Sequence, residues 1–324
     1  MTRIGLHFSL IVAAAGLAVA ADSMSAPVAG YVAGSPRAEL RAILGVPGSF
    51  LLSDPLPLPD GVTRVRIAPG QGYALIERKH GGPAAVALNG AAVSGLIPLD
   101  GVISGADWVT FSLGARSVVF CSAGKLQVVT GLPDAARIAR DIDTGTLPEP
   151  PITAAVSDDG SLLLVASTQS VYLVDSGAPQ LLMSGGEIRS LAVLRNGKDA
   201  AVVDGIGGSV HLLRDAASGA PARVLASGLD SAEQIYPSPD GQTLFVSRPA
   251  AGAVSWVDMA SGQVQSLDTA GMQAGAPVDL VPLRNRDTFL ISARPRQPAW
   301  IFYRDGAAGR VAFIPAAGGR TRGR

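Results

Sequence analysis

Short apolar runs separated by turn residues recur through most of the chain. The clearest copy covers residues 235–264. An apolar strand leads into the turn Ser238-Pro239-Asp240-Gly241, then come a second strand, a loop, a third strand ending at Asp258 and a short fourth. Similar copies begin at Ala155 and Ala192. Asp-Gly or Asn-Gly between two β-branched or aromatic runs is the strongest short-range signal of a hairpin. The pattern therefore predicts repeated four-stranded antiparallel units and very little helix.

Six copies of this unit follow one another at a nearly constant interval. They are anchored on one turn residue each, and neighbouring anchors lie 43, 45, 37, 44 and 45 positions apart: Gly72, Ala115, Gly160, Gly197, Gly241 and Arg286. A period of about 40–45 residues is typical of four-stranded propeller blades. A β-sandwich has strands at similar spacing but does not repeat the same turn six times. We therefore predict an all-β fold, a single β-propeller over residues 21–316.

The residues ahead of the six copies decide the number of blades. Residues 30–52 have a pattern that predicts two or three strands. Such a piece can form part of a further blade or pair with the C-terminal strand, and either removes open sheet edges. We favour seven blades, with six as the alternative. The stretch Pro55–Pro59 predicts an extended connector, because proline cannot serve a central strand. We interpret Ala135–Asp141 as a long loop within a repeat.

Both ends of the chain have a pattern that differs from the repeats. Arg3, the apolar stretch 4–20 and the small-x-small triplet Ala18-Val19-Ala20 are typical of a signal peptide, residues 1–20, cleaved before Ala21. An uncleaved membrane anchor is the alternative. After cleavage, no apolar run is long enough to span a membrane. Residues 317–324 predict a disordered, arginine-containing tail. We expect an exported protein, periplasmic or secreted.

The charge balance and the reactive side chains limit the functions that the chain can have. The 26 basic and 26 acidic residues balance, which argues against a nucleic-acid surface. The one cysteine, Cys121, lies in an apolar strand pattern and is expected to be a buried hydrophobe. His80 and His211 have no metal-ligand spacing, and no Gly-x-Ser-x-Gly motif occurs. We therefore predict no catalytic residue, no metal site and no cofactor.

The copies at 235–264 and 155–175 resemble the YVTN-type repeat family of β-propellers, relatives of the WD40 superfamily. The shared elements are Ser-Pro-Asp-Gly at 238–241 and Val-Asp-x-x-x-Gly-x-Val at 257–264. The Tyr-Val-Thr-Asn segment itself is absent, and the strand ends that match it read Leu-Val-Ala-Ser, Leu-Phe-Val-Ser and Leu-Ile-Ser. The resemblance implies a fold and an extracytoplasmic setting. It implies little about activity, because the motif specifies a hairpin.

The candidate functional residues come from one level of the repeats. In five of the six copies, a charge stands at or beside the position eight residues before the turn anchor. These residues, together with two from the loops after the second strands, form a candidate ligand-binding ring at the funnel mouth: Arg64, Asp107, Arg189, Glu233, Asp279, His80 and Arg248. The alternative is that they are simply solvated strand ends.

Three functions are open at this point. The first is a non-enzymatic binding or scaffold module for a protein or small ligand at the funnel. The second is a metal-dependent hydrolase or lyase of the lactonase-like propeller type, with oxygens from Asp107, Glu233 and Asp279 around a divalent cation. Arg64 and Arg189 between these acids would repel the cation. The third is a structural module of an envelope assembly.

The signal peptide gives the first testable prediction. We expect Ala21 to be the first residue of the exported protein, because signal peptidase cleaves after a small-x-small triplet. N-terminal sequencing of protein recovered outside the cytoplasm measures this. A sequence that starts at Met1 would contradict it.

Overall fold

Within each sheet of the computed structural model, every strand pairs antiparallel with the next strand along the chain. The structure describes residues 26–34, 38–122, 124–271, 280–285, 287–292 and 299–315. Within these residues the strands form seven separate sheets, and the sheets are the blades of a propeller. The prediction of an all-β propeller with seven blades is confirmed.

Blades 1 to 4 follow one another from the start of the described chain. Blade 1 has three strands there, β1 (Val28–Gly34), β2 (Glu39–Val46) and β3 (Ser49–Leu52). The next three have four strands each. Blade 2 holds β4 (Val62–Ile67), β5 (Tyr73–Arg78), β6 (Ala84–Asn89) and β7 (Ala92–Pro98); blade 3 holds β8 (Trp108–Phe111), β9 (Ser117–Ser122), β10 (Lys125–Thr130) and β11 (Arg137–Asp143); blade 4 holds β12 (Thr153–Val156), β13 (Leu163–Ala166), β14 (Ser170–Leu173) and β15 (Gln180–Ser184).

Blades 5 to 7 repeat the same order, with the first strand innermost. Single turns of 3₁₀ helix at Thr144–Thr146 and Ala216–Ser218 are the described helical elements. Blade 5 holds β16 (Ile188–Val193), β17 (Ala200–Asp204), β18 (Ser209–Leu213) and β19 (Arg223–Ala226); blade 6 holds β20 (Gln234–Pro237), β21 (Thr243–Arg248), β22 (Ala253–Asp258) and β23 (Val264–Asp268); blade 7 holds β24 (Val281–Pro282), β25 (Thr288–Ser292), β26 (Ala299–Asp305) and β27 (Ala308–Ile314).

The turn between the first and second strands is the same in blade after blade. In blade 6, the Ser238 N–H donates to the Thr243 carbonyl and the Gly241 N–H donates to the Ser238 carbonyl. The turn requires one residue with positive φ, which is 73° at Gly241. Gln71 takes this conformation in blade 2 with φ of 56°. The left-handed residue there is thus one position before the anchor Gly72.

One expected loop is a strand. Residues 137–143 form β11 and pair with β10 along its whole length. β11 is the outermost strand of blade 3, and most of its side chains are exposed. A strand with so little burial has no reason to alternate apolar and polar residues, so the sequence pattern did not reveal it.

In the part of the chain that the structure describes, the core is divided into seven clusters, each between two successive blades. The cluster between blades 4 and 5 packs Leu164 and Ala166 against Leu191 and Val202. The seventh cluster packs Ile43 and Phe50 of blade 1 against residues of blade 7 such as Ile301, which closes the ring. The N-terminal strands therefore make a blade of their own, and within the described residues the C-terminal strand β27 pairs only with β26.

A buried glutamine ties the closing blades together. Gln71 is fully buried in the first turn of blade 2. Its Oε1 accepts the N–H of Tyr31 in blade 1 at 2.6 Å, and its Nε2 donates to the carbonyl of Pro282 in blade 7 at 2.6 Å. One side chain thus bonds the innermost strands of two other blades. No repeat motif of the sequence marks this residue.

Several smaller predictions are also settled. Pro55–Pro59 lies in a stretch without strand, although the Leu56 N–H still donates to the Leu40 carbonyl at 2.8 Å. Cys121 is buried and free, and burial raises the pKa of its thiol. His211 lies on β18.

The predicted signal peptide and tail fall outside the described residues. Within the described residues, no helix is long and apolar enough to cross a membrane.

Two turn glycines give a matched stability test. Gly241 and Gly160 both have positive φ, so alanine strains either backbone. A Cβ at Gly241 meets Arg195 Cβ at an ordinary 3.7 Å, whereas one at Gly160 lies 2.4 Å from Thr130 Cγ2. We expect Gly241→Ala to cost about 1 kcal/mol and Gly160→Ala about 2–3 kcal/mol. Urea denaturation measures both, and equal costs would contradict the packing described.

Candidate functional site

The central channel opens at the end of the ring where the innermost strands of blades 2 to 7 begin. A cavity of about 690 Å³ fills the channel, and all seven innermost strands contribute to its wall. Each of these strands lies at the edge of its sheet. An edge strand leaves a row of backbone N–H and C=O groups without a strand partner. The channel therefore offers main-chain donors and acceptors as well as side chains. We call its opening at this end the upper mouth.

Blades 2 and 3 meet at the upper mouth through two arginines of β4. Arg66 forms an ion pair with Glu77 at 2.6 Å, and Arg64 lies 3.7 Å from the same Oε1. Both guanidinium groups also donate to the carbonyl of Ala106, at 2.9 Å from Arg64 and 3.3 Å from Arg66. Ala106 directly precedes Asp107. The two guanidinium groups thus bridge two blades, and Arg64 remains half exposed.

A second charged group joins blades 5 and 6 at the same opening. Arg189 lies 2.9 Å from Glu187 of its own blade and 4.0 Å from Glu233 at the start of blade 6. The side chains of Arg189 and Glu233 are 40% and 43% exposed. Exposed ion pairs contribute only about 0–1 kcal/mol to stability, so these charges remain available to a ligand.

A nearby buried carboxylate fixes the loop beside Arg189. Asp204 Oδ1 accepts the N–H of Glu187 at 3.0 Å and of Gly207 at 2.9 Å. Burial alone would raise the pKa of this carboxyl, but these N–H donors and the charge of His211 outweigh it and hold the pKa below its usual value. A Cβ at Gly207 would lie 2.3 Å from Asp204, so the loop needs glycine there. Ile206 stands at its tip, 77% exposed.

The remaining predicted site residues are less closely connected. Asp107 and His80 are exposed at the upper end, and within the described residues no hydrogen bond of their side chains joins them to the charged groups. Arg248 donates to the carbonyl of Asp230 at 2.9 Å and to Ser255 at 3.4 Å. Asp279 lies outside the described residues. The structure thus brings Arg189 together with Glu233, and Arg64 with a residue that was not predicted.

Three participants were missed by the sequence reasoning: Arg66, Glu77 and Glu187. A signal for Glu77 was present, because the end of the second strand must pair with the start of the first in an antiparallel sheet. The register bears this out, with Arg64 opposite Glu77. Arg66 follows two positions after Arg64, so its side chain leaves the strand on the same face.

The carboxylates at the upper mouth do not gather around one point. No group of three or more His, Cys, Asp or Glu side chains is placed to hold a metal ion in the described part of the chain. Glu77, Glu187 and Glu233 each have an arginine within 4.0 Å. Such a site suits ligands that carry charges of both signs.

Comparison with known proteins shows likeness of structure only. No family model and no curated protein matches this sequence. A Lactobacillus plantarum protein superposes with a TM-score of 0.58 at 16% identity, over 89% of this chain and 94% of that one. A candidate 6-phosphogluconolactonase from Bacteroides fragilis gives 0.55 at 18%, over 88% and 92%. The Cps50 (Swd1) β-propeller domain of Myceliophteria thermophila gives 0.53 at 14%, over 79% and 87%.

These three likenesses support the seven-bladed β-propeller fold. All are below 20% identity, so they carry no activity over to this chain. The repeat motif alone also identifies a fold rather than a chemistry.

Asp204 gives a pH-dependent prediction. Because its pKa is lower in the folded state, its contribution to stability is present above the unfolded value of about 3.9 and is lost as the pH falls toward the folded value. We expect Asp204→Asn to lower the urea midpoint at pH 7 and to reduce its fall below about pH 4. Midpoints measured from pH 7 to 2.5 test this. Parallel curves for the two proteins would show that Asp204 does not contribute.

Proposed function

We propose that this protein is an exported, non-enzymatic binding module that holds a protein segment at the upper mouth of its channel. The carrying observation is the pair of charged groups around that mouth. Arg64, Arg66 and Glu77 lie on one side, and Glu187, Arg189 and Glu233 lie on the other. Both groups adjoin the cavity, whose wall includes Arg66 and Arg189.

The spread of the charges favours a protein segment over a small ligand. The two groups involve four blades, and each contains both signs of charge. An extended peptide also carries main-chain donors and acceptors that match the free edges of the innermost strands. The exposed Ile206 adds an apolar contact beside Arg189. Charged groups so arranged contribute to partner choice and association rate more than to raw affinity.

The proposals of export and of membership in the repeat family are supported by the sequence. The signal-peptide pattern of residues 1–20 supports a periplasmic or secreted location. The motifs at 238–241 and 257–264 support membership of the YVTN-type repeat family, which agrees with that location. A role as one module of an envelope assembly is consistent with the same binding surface.

A metal-dependent lactonase-like activity is the second candidate. It is favoured by the likeness to the Bacteroides fragilis protein, which extends over 92% of that chain. A divalent cation would need three or four oxygen ligands. Among the predicted ligands, Glu233 faces Arg189, and Asp107 belongs to no group of three or more possible metal ligands in the described residues. The arginines would repel the cation, so we place this function second.

The binding proposal is tested by removing one ion pair without reversing it. In the double variant Arg189→Gln with Glu233→Gln, both charges are lost and net charge is unchanged. We expect the variant to fold as the wild type does, because the pair is exposed. We expect it to lose capture of the partner from an envelope extract, since charged contacts at a partly desolvated site contribute strongly to binding.

The matched control removes another exposed pair, Arg310→Gln with Asp305→Asn, which lies 3.6 Å apart at the outer turn of blade 7. Thermal melts check folding, and bound proteins are identified by mass spectrometry. Identical partner profiles for wild type and both variants would remove the upper mouth as the binding site. A melting temperature that rises with calcium, together with lactone hydrolysis, would favour the second candidate instead.

A further inference from the structure

The opposite end of the channel holds a second cavity with a different charge pattern. It has a volume of about 470 Å³ and lies among the turns that join the first and second strands of the blades. We call this opening the lower mouth. The residues that matter for its chemistry are Asp158, Arg195, Tyr236 and Arg284. Three prolines contribute to the remaining wall, Pro69, Pro239 and Pro282.

Arg284 is anchored through one nitrogen and leaves the others available. Its Nη2 lies 3.0 Å from the Leu88 carbonyl, 3.2 Å from the Gln71 carbonyl and 3.4 Å from the Tyr31 hydroxyl. The guanidinium also lies over the Tyr31 ring, 5.1 Å from its centroid. In the described part of the chain, Nε and Nη1 have no hydrogen bond and no carboxylate lies within 4.0 Å. The group is thus held in place with free donors.

Arg195 has the same kind of arrangement on another blade. Its Nη1 donates to the carbonyl of Pro239 in blade 6. Its other nitrogens have no hydrogen bond to a described residue, and no described carboxylate pairs with it. This differs from the upper mouth, where Arg64, Arg66 and Arg189 each face a glutamate.

Tyr236 adds a neutral donor between the two cavities. It contributes to the wall of both, and its hydroxyl makes no hydrogen bond to a described residue. Burial, with the charge of Asp158 adding to it, raises the pKa of the phenol well above its usual range. The hydroxyl therefore keeps its proton at any physiological pH. Its ring packs edge-on against Phe289, with centroids 5.3 Å apart.

The negative charge at this mouth is limited. Asp287 is paired with Arg304 at 2.5 Å and is balanced by it. Asp158 accepts the Gly114 N–H at 2.8 Å and has no described cationic partner within 4.0 Å. Two unpaired guanidinium groups and one carboxylate leave a net charge of +1 among these residues. A dianion would meet more repulsion from Asp158 than a monoanion would.

We propose that the lower mouth binds a small organic acid with a single carboxylate and an apolar, ring-containing body. The carboxylate would accept from Arg195, Arg284 and Tyr236, because guanidinium groups match carboxylates in geometry and charge. The body would lie against the prolines of the wall, Pro69, Pro239 and Pro282. A cavity of this size is within the range of small-molecule sites. This site is independent of the function proposed for the upper mouth.

Titration calorimetry on the full chain with benzoate tests the proposal, and neutral benzamide is the matched probe. We expect benzamide to bind at least about tenfold more weakly than benzoate. Arg195→Gln should weaken benzoate about tenfold with little change in melting temperature, and Tyr236→Phe about threefold. Arg223→Gln, an exposed arginine of the outermost strand β19, is the control and should change nothing.

The outcomes separate this site from others. Undetectable benzoate binding, equal binding of benzamide, or unchanged affinity in folded Arg195→Gln would each overturn the proposal. Loss of benzoate binding in the Arg189→Gln, Glu233→Gln variant but not in Arg195→Gln would also overturn it, because the acid would then bind at the upper mouth. Retained binding in that upper-mouth variant supports the lower site, whether or not partner capture fails.

Discussion

The fold depends on closing a ring of seven sheets, and among the described residues no strand is shared between the two ends of the propeller. Each blade buries both faces against its neighbours, so a blade at an open end would expose an apolar face to water. Closure here relies on packing of Ile43 and Phe50 against blade 7. Two backbone groups at this seam are satisfied by Gln71, whose amide bonds Tyr31 and Pro282 from a third blade. The left-handed φ of 56° at Gln71 is kept because these contacts over-determine it.

The repeats could be predicted because their signals are local. The turn at Gly241 needs a positive φ and an aspartate beside it, and both can be identified from four adjacent residues. Strand β11 could not be identified in this way, since a mostly exposed edge strand leaves no alternation in the sequence. Blade 1 was only partly predictable. It lacks the repeated turn. The sequence left open whether its strands form a blade of their own or pair with the C-terminal strand.

The candidate site was also predictable only in part. The level of Arg64, Arg189 and Glu233 follows from alignment of the repeats, because equal positions in successive blades meet at one end of the channel. Their actual partners depend on side-chain direction and on contacts between blades, as the shared Ala106 carbonyl shows. The guanidinium groups of the lower mouth are held by backbone carbonyls, which no residue pattern marks. The two ends of one channel thus differ in charge although the same seven strands connect them.

The seam between blades 7 and 1 also has a mechanical meaning. A connecting segment of the chain crosses each of the other six interfaces. At the seam, the described residues of the two blades are joined by side-chain packing and by a hydrogen bond from the Arg284 N–H to the Ala29 carbonyl at 2.9 Å. A force that separates these two blades is therefore opposed there by no covalent link, and the ring can open at that point into a curved row of blades. The packing of Ile43 and Phe50 against blade 7 and the hydrogen bonds of Gln71 keep the seam closed. The molecule is a linear array of blades that these contacts hold in a ring.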